Sequence, residues 1–321
     1  MLGNECAIAQ TDSGSPFLRP EGTQSSAASN APCDYTFPSK VPVKCWAGQK
    51  FMVLPIDPQL RSYGYQEFTK GDSVIDHATY DELAGKVVTV TDVQWRLIAP
   101  ALPDSGGWVV TFQDDASGVT YHTRAVTLPN DPPDDATVDH LALVRDLQGA
   151  RQMYLGKTFW MKSGWLPEFN GNGSISFSNT VTYKKFVPTT ISDVLASYDP
   201  HEPVRVVIKN DAGQEGYFDM AVSPTNRSAK WPGKVGEAAF AEVMASTDPK
   251  LAHKWPAKVW DAIENQKVFM GMTMEQARLS WGEPRDVNRT VVGDHVHEQW
   301  VYGEAHNYLY FEDGRLTGIQ N

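Results

Sequence analysis

The segment from Val268 to Gln320 sets the tightest limit on the fold, because its cap, stop and turn residues come in a fixed order. Thr273 followed three residues later by Gln276 is a capping box, in which each side chain reaches the other's backbone N–H. Gly271-Met272-Thr273 therefore turns the chain into a short helix over residues 274–280. Gly282 supplies the stop, and Pro284 prevents the helix from resuming. Residues 289–292, 298–302 and 308–311 then read as strands, and Asp313-Gly314 turns the last into a fourth at Arg315–Gln320. Upstream, Pro256 stands at a helix start, with Val259, Trp260 and Ile263 as the apolar stripe behind it. A helix pair followed by an antiparallel meander is the arrangement these signals share.

Four stretches together resemble the SmpA/OmlA (BamE-like) family: the Gly271-Met272-Thr273-x-x-Gln276 helix start, the Gly282-x-Pro284 stop, Glu298-Gln299-Trp300-Val301-Tyr302, and Tyr308-Leu309-Tyr310-Phe311-x-Asp313-Gly314. The resemblance covers residues 256–321. It implies an α+β unit, two helices on a three- or four-stranded antiparallel sheet, a fold shared with β-lactamase-inhibitor proteins. Members of these groups bind other proteins. The chain departs from the BamE pattern in lacking a clear lipobox and in carrying two further units.

Those units come from an internal repeat. The first copy opens at Gly48-Gln49-Lys50-Phe51-Met52-Val53-Leu54, has a central strand at residues 87–93, and closes with a hairpin over Asp114-Asp115-Ala116-Ser117-Gly118. The second opens at Gly156-Lys157-Thr158-Phe159-Trp160-Met161, places its central strand at Tyr183-Lys184-Lys185-Phe186-Val187, and closes over Asn210-Asp211-Ala212-Gly213. About five short strands in roughly 75 residues fit a small closed barrel, since such a sheet buries one face by curling on itself. The order is similar to the bacterial Src-homology-3-like repeat, met in cell-envelope proteins. The expected fold class is thus multidomain and β-rich, two small SH3-like barrels before the α+β unit.

The expected boundaries are a flexible leader at 1–40, barrels at 41–128 and 150–225, a linker with a short helix at 129–149, a helical connector at 226–255, and the α+β unit at 256–321. The linker helix is expected to carry Leu141, Val144 and Leu147 on one face, and Phe240, Val243 and Met244 are expected to share a connector helix. The leader is rich in Ser, Ala, Thr, Gly, Pro and Gln, with little to bury against its ordering entropy. Ala7-Ile8-Ala9 has the form of a signal-peptidase site, although no charged and apolar region precedes it. It reads either as the end of an export signal at 1–9 or as a coincidence in an Ala-rich stretch. Cleavage there would remove Cys6 and leave Cys33 and Cys45 as a disulfide candidate suited to an oxidising periplasm.

Twenty-eight Lys and Arg against 39 Asp and Glu leave a net charge of −11, which argues against a general nucleic-acid binder. No apolar run approaches the length of a membrane span. Asp294, His295, His297 and His306 are the candidates for a metal site, but the better reading is solvated turn and edge residues, with no cofactor. His201 and Glu202, between two prolines, read as a solvated turn, and Gly171-Asn172-Gly173-Ser174 as a plain loop. No nucleophile elbow or Cys–His pair points to an enzyme.

Aromatic side chains are the remaining candidates. Trp300 and Phe311 are expected in the core, whereas Trp281, Tyr302, Tyr308 and Tyr310 are candidates for an exposed protein-binding patch. Tyr63 and Tyr65, with Trp95, lie in or beside loops of the first barrel, where peptides or glycans could bind. The expected function is a non-enzymatic scaffold or accessory protein of the periplasm or outer membrane, acting on envelope protein partners. The alternatives are a peptidoglycan-binding envelope protein and a secreted enzyme inhibitor.

Overall fold

A computed structural model describes residues 33–97, 106–129, 131–171, 179–228, 230–231, 233–303 and 307–320. The expected signal remnant, Cys6, Asn172 to Ser174 and His306 lie outside the described residues. The fold is β-rich, built from curled antiparallel sheets.

The first unit comprises β1 (Lys50–Val53), β2 (Tyr65–Lys70), β3 (His77–Ala78), the short helix α1 (Tyr80–Leu83), β4 (Val87–Leu97), β5 (Gly106–Asp114), β6 (Thr120–Arg124) and β7 (Leu141–Leu143). Its sheet runs β3-β2-β6-β5-β4-β1-β7. The second comprises α2 (Val144–Tyr154), β8 (Thr158–Met161), β9 (Trp165–Pro167), β10 (Thr180–Thr182), β11 (Pro188–Ala196), β12 (Val204–Lys209), β13 (Glu215–Met220), α3 (Glu237–Val243) and β14 (Met244–Ala245). Its main sheet runs β13-β12-β11-β8-β14, while β9 and β10 pair with each other and a Glu168–Gly216 bridge ties them to β13. The series β6-β5-β4-β1-β7 and β13-β12-β11-β8-β14 have the same order. Both central strands also carry a bulge at the same place, between Val90 and Asp92 in β4 and between Ile191 and Asp193 in β11.

The counterpart of β4 is therefore Pro188–Ala196 rather than residues 183–187. The misplaced segment leaves the sheet to serve the third unit. Met244, expected at the end of the connector helix, instead begins β14 and pairs with Met161.

Strand β1 is shared between two cores. Phe51 and Val53 pack with Trp46, Phe68 and Phe112 on one side, and Met52 and Leu54 pack with Leu147, Tyr154 and Phe240 on the other. Strand alternation lets one short segment face both ways. Strand β7 does the same, with Leu141 and Leu143 in the first core and Ala142 in the second. The expected linker is thus structural, and its helix starts at Val144, so Leu141 does not share a face with Val144 and Leu147. The last part of the expected leader is packed too. Cys33 is bonded to Cys45, Phe37 covers Gly149, and Arg145 donates to the carbonyls of Tyr35 and Ser39.

A polar clamp joins the two units. Asn226 Oδ1 accepts from Val138 N at 2.7 Å, and its amide donates to the carbonyls of Val138 and Leu141 at 2.7 and 2.6 Å. Val41 N donates to Thr225 Oγ1 at 3.0 Å. The Ser223 hydroxyl donates to Asp146, whose carboxyl is pushed up to about 6, mainly by burial. Inside the second unit Arg205, only 1% exposed, makes a two-point pair with Asp219 at 2.8 and 2.7 Å. The Tyr217 ring lies 3.7 Å from its guanidinium carbon and the Tyr198 ring 5.5 Å.

The third unit comprises α4 (Pro249–Ala252), α5 (Ala257–Glu264), α6 (Met274–Trp281), β15 (Asp286–Val292), β16 (His295–Tyr302), β17 (Asn307–Glu312) and β18 (Arg315–Gln320), its sheet a meander β15-β16-β17-β18. Residues 183–187 bolt it to the second unit. Phe186 is buried in the third unit's core with φ +55°, a conformation rare for a bulky residue and held here by packing. Lys185 Nζ donates to Ser280 O at 3.0 Å, and Gln266 Nε2 to the carbonyls of Gly164 and Tyr183, both at 3.3 Å. Any side chain at Gly164 would collide with the Gln266 amide. Among the described residues, no helix is long and apolar enough to cross a membrane.

Candidate functional site: the open face of the C-terminal sheet

The third unit is two-layered because its sheet alternates. Trp300, Leu309, Phe311 and Leu316 point inward and bury against Val259, Trp260 and Ile263 of α5 and Ala277 of α6. Helix α6 is fixed by its cap, with Gln276 N donating to Thr273 Oγ1 at 3.2 Å and Thr273 N to Gln276 Oε1 at 3.0 Å. Gly282, at φ +89°, ends it. The indole of Trp300 donates to Glu298 at 2.9 Å, while the Arg278 guanidinium lies 4.7 Å from its ring centre.

The opposite face of the sheet is uncovered by either helix. Cross-strand register places Asn288, Gln299, Tyr310 and Gly318 in one row, and Val301 beside Tyr308 in the next. A hydrogen-bond ladder runs across all four strands. Asn288 Nδ2 donates to Gln299 Oε1 at 3.0 Å, Gln299 Nε2 to Tyr310 Oη at 3.1 Å, and Tyr310 Oη to Gln320 Oε1 at 2.9 Å. The Tyr310 ring covers Gly318, where a Cβ would sit 3.1 Å from Cδ2. Side chains so tethered have lost much of their rotamer freedom before any partner arrives, which lowers the ordering cost of docking. At one end of the face, His295 Nδ1 lies 2.8 Å from Asp313 Oδ2, which raises the His295 pKa and lowers that of Asp313. Edge strand β15 is exposed at every residue.

The aromatic candidates do not form one patch. Tyr308 and Tyr310 lie half-buried on the open face, with ring centres 6.4 Å apart. Trp281 and Tyr302 meet edge to face on the helix side, at 5.3 Å. Trp281 Nε1 donates to Gln266 O at 3.0 Å and Tyr302 Oη to Gly282 O at 3.2 Å, and burial raises the Tyr302 pKa. These two are half-buried, as Tyr308 and Tyr310 are, but lie at the helix side of the sheet with their polar atoms bonded to backbone carbonyls. In the first unit Tyr63 is 66% exposed, whereas Tyr65 is fully buried and donates to Leu54 O at 2.8 Å. Tyr65 is thus a core residue: it starts β2, whereas Tyr63 ends a turn. Trp95 is half-exposed on β4, edge to face with Trp108 at 5.3 Å.

His295 and His297 face the same side, but they pair with Asp313 and Glu312 and do not converge. Among the described residues, no group of three His, Cys, Asp or Glu side chains is placed to hold a metal. Nothing in the sequence marks Asn288, Gln299 and Gln320 as neighbours on one face; only the strand register brings them together.

Comparison with protein-family models, with curated proteins and with solved structures returns no match.

Proposed function

We propose that the chain is a non-enzymatic scaffold or accessory protein of the bacterial cell envelope. In this reading, two SH3-like units hold a BamE-like α+β module whose open sheet face docks an envelope protein partner. The observation that carries it is the four-stranded face with Tyr308 and Tyr310 at its centre, held by the Asn288–Gln299–Tyr310–Gln320 ladder. An aromatic, pre-ordered, solvent-facing surface is what a protein interface centre requires. The Cys33–Cys45 disulfide supports an oxidising compartment such as the periplasm.

The test is a photo-crosslinking amino acid placed at position 310 of the full chain in envelope-bearing cells, with exposed Leu251 as the control position. A discrete protein adduct from position 310 and none from 251 is expected. Absence of any position-310 adduct, or identical adducts from both, overturns the docking assignment. Retention of the full chain on insoluble peptidoglycan, unaffected by a Tyr308→Ser/Tyr310→Ser double substitution, favours the wall-binding alternative instead.

A further inference from the structure

A second candidate site lies where the polar clamp meets the second unit. A cavity of about 380 Å³ is lined by Lys40, Asp135, Pro224, Arg227, Ser228, Trp231, Gly233 and Val235. That size falls near the lower end of small-ligand pockets. Two of its polar groups are already committed: Lys40 is paired with Asp135 at 2.5 Å, and Ser228 donates to Asp131 at 2.5 Å. Arg227 is not. It is only 4% exposed, and Nη1 donates to Lys234 O at 2.9 Å, but Nε and Nη2 are buried with no partner. Those two atoms form one edge of the guanidinium, the edge that takes a carboxylate with two parallel hydrogen bonds.

A carboxylate faces the same gap without meeting that edge. A Cβ at Gly233 would collide with Arg227 Nη2 and lie 3.4 Å from Glu202 Oε1 and from Trp231 Cδ1. Glu202 makes no side-chain hydrogen bond or ion pair among the described residues, and burial raises its pKa. Beside it, the His201 ring stacks on Trp231 with centres 3.9 Å apart, and His201 Nδ1 is buried with no partner. The residues that read as a solvated turn in the sequence therefore lie behind two lining residues of the cavity, His201 against Trp231 and Glu202 beside Gly233. The guanidinium and the half-buried carboxylate feel each other's charge across the gap, yet neither has a directly bonded ionic partner.

The geometry points to a site for a small zwitterion of the α-amino-acid class, its carboxylate on the Nε–Nη2 edge of Arg227 and its ammonium on Glu202. Trp231, Pro224 and Val235 would hold an apolar side chain. The site is distinct from the open sheet face and stands or falls independently of the docking role.

Calorimetric titration of the full chain with L-alanine, L-leucine and L-phenylalanine tests it, each compared with its N-acetyl and carboxamide forms. At least one free amino acid should bind saturably, and blocking either end should weaken binding about tenfold or more, the scale of one lost charge-assisted contact. Glu202→Gln and Gly233→Ala should each weaken binding likewise while leaving the circular dichroism spectrum unchanged; the first removes the charge and the second fills the gap. No saturable heat with any of the three at about 10 mM overturns the proposal. So does equal binding of the blocked forms, or wild-type binding by Glu202→Gln.

Discussion

Removing Asp219 should cost far more stability than removing the whole ion pair. Arg205 is 1% exposed, and its fork is matched by both Asp219 oxygens at 2.8 and 2.7 Å. In Asp219→Ala the guanidinium stays buried, beside the Tyr217 and Tyr198 rings, and loses its two-point carboxylate partner. Breaking a buried pair this way costs about 3–5 kcal/mol, because desolvation of the survivor is no longer offset. Replacing both members by apolar groups of similar volume removes the charge and its desolvation together, and is often neutral or stabilising by about 1–4 kcal/mol. Arg205→Met/Asp219→Leu should therefore lie close to the parent. Urea unfolding followed by tryptophan fluorescence reads both. With a slope of about 3 kcal/mol per molar, a loss of about 4 kcal/mol lowers the midpoint by roughly 1.3 M. If Asp219→Ala stays within about 1 kcal/mol of the parent, or the double variant falls as far as the single one, the reasoning from burial is wrong.

Two further outcomes concern Asp146 and the Cys33–Cys45 disulfide. Asp146 has a folded-state pKa of about 6 against an ordinary 3.8, so its contribution is full below the ordinary value and is lost as pH rises through about 6. Asp146→Asn should gain on the parent between pH 4 and 8 by up to about 3 kcal/mol, at 1.36 kcal/mol per pKa unit; parallel pH–stability curves would show that the carboxyl is not desolvated. Reducing Cys33–Cys45, which are 12 residues apart, should lower first-unit stability by about 2–3 kcal/mol, read as a fall in Tm with dithiothreitol that a Cys33→Ser/Cys45→Ser variant lacks.

What the sequence revealed depended on how local the cause was. The α6 cap and stop involve residues three to nine apart, and the helix spans Met274–Trp281, within one residue of the pattern. The four strands after it also lie close to their expected positions, because each is bounded by turn residues. Residues 183–187 read as a strand because they alternate, but the alternation serves two destinations: Tyr183 belongs to the second core and Phe186 to the third. Leu141 and Val144 show the same blindness. A spacing of three suggests one helical face, yet the chain changes from strand to helix between them. The Asn288–Gln299–Tyr310–Gln320 ladder joins residues whose proximity depends on register, which no window along the chain contains. Arg227 and Glu202 come close to the same glycine, Gly233, only through the fold of the clamp.

The two-sided strand Lys50–Val53 has a practical consequence for anyone dividing this chain. Cutting between the repeats strips Met52 and Leu54 from the half that receives Leu147, Tyr154 and Phe240, leaving that half with an open seam. The amputated partner keeps Phe51 and Val53 but presents the reverse of the same strand, with its two apolar side chains, to water. Fragments ending near residue 128 should therefore aggregate or associate with one another, whereas a fragment ending near residue 245 keeps both halves of the shared wall.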